Sequence, residues 1–254
     1  MAIVDHDAAW TTGQRLARSF TRYYFVWLAL FSIVIAAVGF VPEFARFMAG
    51  TFPIAWVLHI HSALMMAWLA LFFAQAVLAS TGRLALHQKL GTYGLVLGLP
   101  VWASMVFVEW RGKIVYPLDP DLSPYYDLDL RGMYTWAMFL IYFLGAAYCR
   151  RRAPAWHKRF MVFAALMVLL PAQMRIDWLP RFPPRFWADL IYLDACLLLP
   201  LLAYDYSSAK RPHRATIVGA SVLLGAQGIL VFAWGTPWWR HLAYAFTVTL
   251  RSCF

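Results

Sequence analysis

The sequence predicts an all-α polytopic membrane bundle, about seven transmembrane helices followed by a C-terminal interfacial helix. Three observations predict it. Of the 254 residues, 63% are hydrophobic and 13% are charged, a balance foreign to water-soluble domains. Mean hydropathy is +0.61. Apolar runs of about 20 residues, the length that crosses a bilayer core, recur along the chain. Aromatic residues make up 18%, with 13 Trp, and supply amphipathic rings for both membrane interfaces.

Residues 1–21 form a polar N-terminal segment. The first apolar run, 22–41, is too long for a signal-peptide core and has no clear cleavage site, so it reads as an uncleaved anchor. Further runs cover 53–79, 91–110, 132–149, 159–178, 185–204 and 215–234, giving a transmembrane domain over 22–235. Residues 111–130 carry Asp119, Asp121, Asp127 and Asp129 among prolines and read as a solvated acidic loop, because the spacing does not fit an EF-hand. In 236–254, Trp238, Trp239, Leu242, Phe246 and Leu250 recur at helical spacing, as in a helix lying on the membrane surface.

The net charge of +10 does not point to nucleic acid, since the basic residues lie mostly between apolar runs and no nucleic-acid motif is present. With the N-terminus inside, 13 of the 22 Lys and Arg fall on inner segments, including the dense RRRAPAWHKR cluster. The expected topology is therefore N-terminus cytoplasmic and C-terminus periplasmic. The partner this implies is the lipid bilayer, with other membrane proteins or a homo-oligomer compatible with it. Cys149, Cys196 and Cys253 are far apart in sequence and form neither a CxxC nor a disulfide framework.

Polar residues inside apolar runs carry the functional argument, because an ionisable group in lipid is costly and marks a site by default. VLHIHSALMMAW places His59 and His61 two residues apart, hence on different helix faces. His61 shares a face with Met65 and Trp68 and points inward about 10 Å below the outer surface; His59 reaches for the interface. Asp194 lies about 14 Å deep in the sixth run. By depth, His61, Gln173, Arg175 and Asp194 belong to one outer-half polar pocket, read either as a proton, ligand or metal site or as a satisfied packing network.

A second cluster lies at the inner rim. His87 and His157 open the third and fifth runs, Asp205 closes the sixth, and His213 opens the seventh. Three imidazoles and a carboxylate are donors suited to a transition metal. His87, His157 and His61 are the candidate ligands for haem b, with His87 and His157 the better pair because His59 and His61 share one helix. The competing reading is a salt-bridged rim in which Arg83 pairs with Asp205. TGRLALHQKLG and CRRRAPAWHKRFM both place Arg, then His with Lys close behind, before the next run, as a duplicated helical hairpin would. Motifs such as GxSxG, HExxH, P-loop and GxGxxG are absent, and no catalytic residue is assigned.

HSALMMAWLALFFAQAVLASTGRLALHQKLG, PAWHKRFMVFAALMVLLPAQMRI and LLPLLAYDYSSAKRPHRAT resemble segments of an uncharacterised family of bacterial multi-spanning inner-membrane proteins. The matching positions are His61, Gln75, Gly82, Arg83, His87, Gly91, His157, Lys158, Arg175, Asp205 and His213. The resemblance implies an inner-membrane location and a helical fold, and brings no assigned activity. A weaker likeness to cytochrome b561-type and oxidase-assembly membrane proteins rests on histidines near the span ends. The expected function is binding of haem or a metal in a redox, assembly or sensing role. The alternatives are a structural subunit or scaffold and a small-solute or proton-coupled transporter.

Overall fold

In a computed structural model the apolar runs fold into helices. The structure describes residues 12–51, 55–115, 123–176, 178 and 186–252, with side chains described at 19–51, 55–113, 126–176, 178 and 198–252. The eight helices among them are α1 (Thr12–Met48), α2 (Trp56–Ser80), α3 (Leu84–Val115), α4 (Ser123–Cys149), α5 (Pro154–Gln173), α6 (Phe186–Ala209), α7 (Arg214–Ala233) and α8 (Pro237–Ser252). Six of them, α1 to α5 and α7, are long and apolar enough to cross a membrane. Their outward faces are apolar too: Trp27 is 64% exposed, Val96 67%, Ile229 69% and Phe232 76%. Apolar residues on both the inside and the outside are the mark of a bundle solvated by lipid.

α5 is the central helix. Its residues from Val162 to Leu170 are buried without interruption, leaving no solvent-facing stripe. It packs against α1, α4 and α7 most closely, then α6 and α2. α2 with α3, and α4 with α5, form antiparallel hairpins, and α3 lies against α4. Rings fill the space between them: Trp68 of α2 stands edge-on to Phe139 and Phe143 of α4, while Tyr142 stacks on Phe163 of α5 at 5.0 Å. Glycine permits the close approaches. A Cβ at Gly98 of α3 would stand 2.2 Å from the Phe143 ring. In lipid, small residues at helix contacts are what let van der Waals packing hold helices together.

The helices overrun the apolar runs. α3 already begins at Leu84, so His87 lies within its first turn rather than in a loop. α4 begins at Ser123, which overturns the reading of Asp127 and Asp129 as residues of a solvated loop. Asp127 is 2% exposed; its carboxylate accepts the Gly235 N–H at 2.9 Å and pairs with Arg240 at 2.9 Å. That bond fastens α8 to α4. On α8, Trp239, Ala243 and Thr247 turn inward, while Trp238, Leu242 and Phe246 face out. Asp119 and Asp121 lie outside the described residues.

Candidate functional site

The α2–α3, α4–α5 and α6–α7 connections fall at one end of the bundle, here the short-loop end. His87 and His157 are there, each the fourth residue of its helix. Their rings make the same contact. His87 Nδ1 lies 3.2 Å from the Gln75 carbonyl, and His157 Nδ1 lies 2.9 Å from the Ala146 carbonyl. A carbonyl only accepts, so both Nδ1 atoms carry the proton and donate it. Each ring therefore ties the start of one helix to the last turns of the helix before it, once in each hairpin. Each is also held in the tautomer that leaves the Nε2 lone pair available. Beside His87, both amide atoms of Gln75 are buried and have no hydrogen-bond partner among the described residues. Gly91, one turn along α3, leaves room there: a Cβ would come 3.5 Å from Gln75 Nε2.

Asp205 and His213, the other inner-rim candidates, are engaged elsewhere. Asp205 is fully buried and pairs with Arg159 of α5, not Arg83. It also accepts the His213 N–H at 2.9 Å and the Thr216 hydroxyl at 2.6 Å. The His213 ring caps α7, its Nδ1 accepting the Ala215 N–H at 3.0 Å. Burial holds that imidazole below its usual range, in keeping with a neutral acceptor. Among the described residues, no three His, Cys, Asp or Glu side chains gather as metal ligands.

The residues of the outer-half pocket are distributed over several contacts. His61 Nδ1 meets Ser104 Oγ of α3 at 3.0 Å, and that hydroxyl gives its one proton to the Val101 carbonyl at 2.7 Å. The His61 ring must then donate, a partner that depth alone did not reveal. His59 is exposed and packs on Phe47 of α1 at 4.9 Å. Gln173 is buried at the far end of α5. Arg175 turns to α1, where its Nε donates to Glu43 at 3.0 Å and its guanidinium covers Phe40 at 4.8 Å. The Asp194 side chain lies outside the described residues.

The Glu43–Arg175 pair is about a third exposed on each side. Glu43→Gln is expected to change stability in detergent by less than about 1 kcal/mol, the scale of a surface ion pair; thermal unfolding followed by tryptophan fluorescence checks it. A second charge cluster escaped the sequence reading. Lys113, at the far end of α3, is 6% exposed and lies 2.5 Å from Asp129 and 3.8 Å from Glu109. The i,i+4 spacing of Glu109 and Lys113 on a helix was the available signal.

Comparison of the chain with protein-family models, with curated proteins and with solved structures finds no match.

Proposed function

We propose that the chain is a seven-span inner-membrane protein that holds haem b between His87 and His157 and carries electrons. Under this reading α6 is the seventh span, and the short-loop end faces the cytoplasm, where the RRRAPAWHKR cluster favours it. The resemblance to bacterial inner-membrane proteins agrees with that location.

The supporting observation is the shared state of the two rings. Each is fixed through Nδ1 on a carbonyl and, among the described residues, has no partner at Nε2. Among the described residues the two imidazoles have no third protein donor with them, whereas a zinc site takes three or four ligands from the chain. They would suit a metal whose other ligands come from a macrocycle. His87 and His157 would be the residues that hold haem, and a haem held by two histidines would supply electron transfer rather than oxygen chemistry. When bound, haem supplies the one-electron couple. The carbonyl bonds of Gln75 and Ala146 raise the basicity of the rings and fix their orientation. The orphaned Gln75 amide offers a hydrogen bond at the same place.

The test is the absorption spectrum and iron content of protein purified from haem-replete cells. A Soret band with about one haem per chain is expected, lost or shifted in both His87→Ala and His157→Ala while the helical circular dichroism persists. Protein without a Soret band or bound iron overturns the assignment. The scaffold reading then stands on the Arg159–Asp205 node, which joins α5, α6 and α7 without any ligand.

A further inference from the structure

An open groove of about 570 Å³ lies at the short-loop end, between α1, the α2–α3 turn and the end of α6. Its polar lining has two characters. On one side is Arg22 of α1, whose Nε donates to the Ser80 carbonyl at 3.0 Å and whose plane lies over the Tyr23 ring. Among the described residues its two terminal nitrogens have no partner. Facing it are three hydroxyls with their protons committed. Ser80 and Thr81 both donate to the Val77 carbonyl, at 2.9 and 2.8 Å, and Ser208 donates to the Asp205 carbonyl at 3.2 Å. With their protons so placed, these three oxygens keep lone pairs with which to accept from a ligand. The groove therefore offers cationic donors beside neutral acceptors.

That pattern complements a zwitterion with an anionic phosphate and a protonated amine. We propose that the groove between Arg22 and the Ser80, Thr81 and Ser208 hydroxyls binds the phosphoethanolamine headgroup of a membrane phospholipid. The phosphate takes the Arg22 fork, a charge-assisted contact. The ammonium, with three N–H donors, takes the hydroxyl oxygens. Depth agrees with this: Ser80 ends α2, and Arg22 stands in the first turn of the apolar stretch that begins at Ser19, where headgroups meet a span. Elsewhere around α1, Trp27, Leu30, Phe31 and Val34 are exposed apolar side chains open to acyl chains. A choline headgroup has no N–H to give the hydroxyls, so the site discriminates by hydrogen bonding rather than charge.

The experiment is native mass spectrometry of the full-length protein in detergent, titrated separately with phosphatidylethanolamine, phosphatidylcholine, phosphatidylglycerol and soluble phosphoethanolamine. Phosphatidylethanolamine is expected to bind about tenfold tighter than phosphatidylcholine, about one good hydrogen bond's worth. Arg22→Gln is expected to weaken all the phospholipids. Thr81→Ala with Ser208→Ala is expected to weaken phosphatidylethanolamine alone. Phosphoethanolamine binding as tightly as the lipid would identify a soluble ligand and overturn the lipid assignment. Equal binding of the three lipids, or lipid binding unchanged in Arg22→Gln, also overturns it. These side chains are at the surface, and unchanged thermal unfolding verifies that the variants fold.

Discussion

Replacing Asp205 with Ala is expected to destabilise the bundle by about 3–5 kcal/mol, the cost of stranding a buried charge. Asp205 is 0% exposed and its partner Arg159 is 3% exposed, so neither has water to fall back on. One Asp205 oxygen takes both Arg159 contacts, the Nε bond at 3.0 Å and a second from Nη2. The other takes the Thr216 hydroxyl and the His213 backbone N–H. A single carboxylate thus closes α5 onto α6, α7 and the turn between the last two. Without it the guanidinium keeps only the Ala155 carbonyl at 2.7 Å and its place over the Tyr204 ring. Asp205→Asn retains an acceptor for Thr216 but loses the charge, and a smaller loss of about 1–3 kcal/mol is expected. The double variant Arg159→Leu with Asp205→Leu removes both charges and is expected to recover much of the difference. Thermal unfolding of the four proteins in one detergent measures all of this. A double variant as unstable as Asp205→Ala would show that the ion pair itself, not the avoidance of an unpaired charge, holds the helices.

Hydropathy located the helices because lipid sets both the length and the composition of a span. It misplaced their ends for the same reason. HQKLG before the third run and DLDLRG before the fourth are polar, yet a helix needs no apolar residues once it leaves the hydrocarbon. Buried ion pairs such as Lys113–Asp129 then keep its polar turns helical. Depth could be counted along a run, and it put His87 and His157 at the same end, where the structure has them. Rotation and neighbours are not written in one run. His61 was matched with Asp194 and Arg175 by depth, but the α2–α3 hairpin presents Ser104 to it, and α1 brings Glu43 to Arg175. Asp205 was visible as a carboxylate at the inner rim. That its partner is Arg159 depends on α5 being the centre of the bundle, a tertiary fact.

The α1–α5 seam shows how little slack such packing has, and Gly39→Ala is expected to destabilise the protein by about 2–3 kcal/mol, the upper part of the overpacking range. A Cβ at Gly39 would stand 2.4 Å from the Ala172 carbonyl oxygen and 2.9 Å from its carbonyl carbon and Cα. All three are backbone atoms of the central helix, so no rotamer change relieves the clash and α1 itself must retreat. Phe40 and Glu43 ride on the same stretch of α1 and meet Arg175 one turn beyond Ala172, so the retreat also stretches the 3.0 Å Glu43–Arg175 bond. Gly50 offers the matched control for lost chain freedom of a different kind: its φ is +71° and open space surrounds it, so Gly50→Ala carries backbone strain without a steric clash. Thermal unfolding in detergent separates the two, because a second change, Glu43→Gln, should add nearly its full small cost to Gly50→Ala and almost none to Gly39→Ala, where the ion pair is already broken. Additive costs in both backgrounds would mean that α1 has not moved, and that Ala172 yields instead.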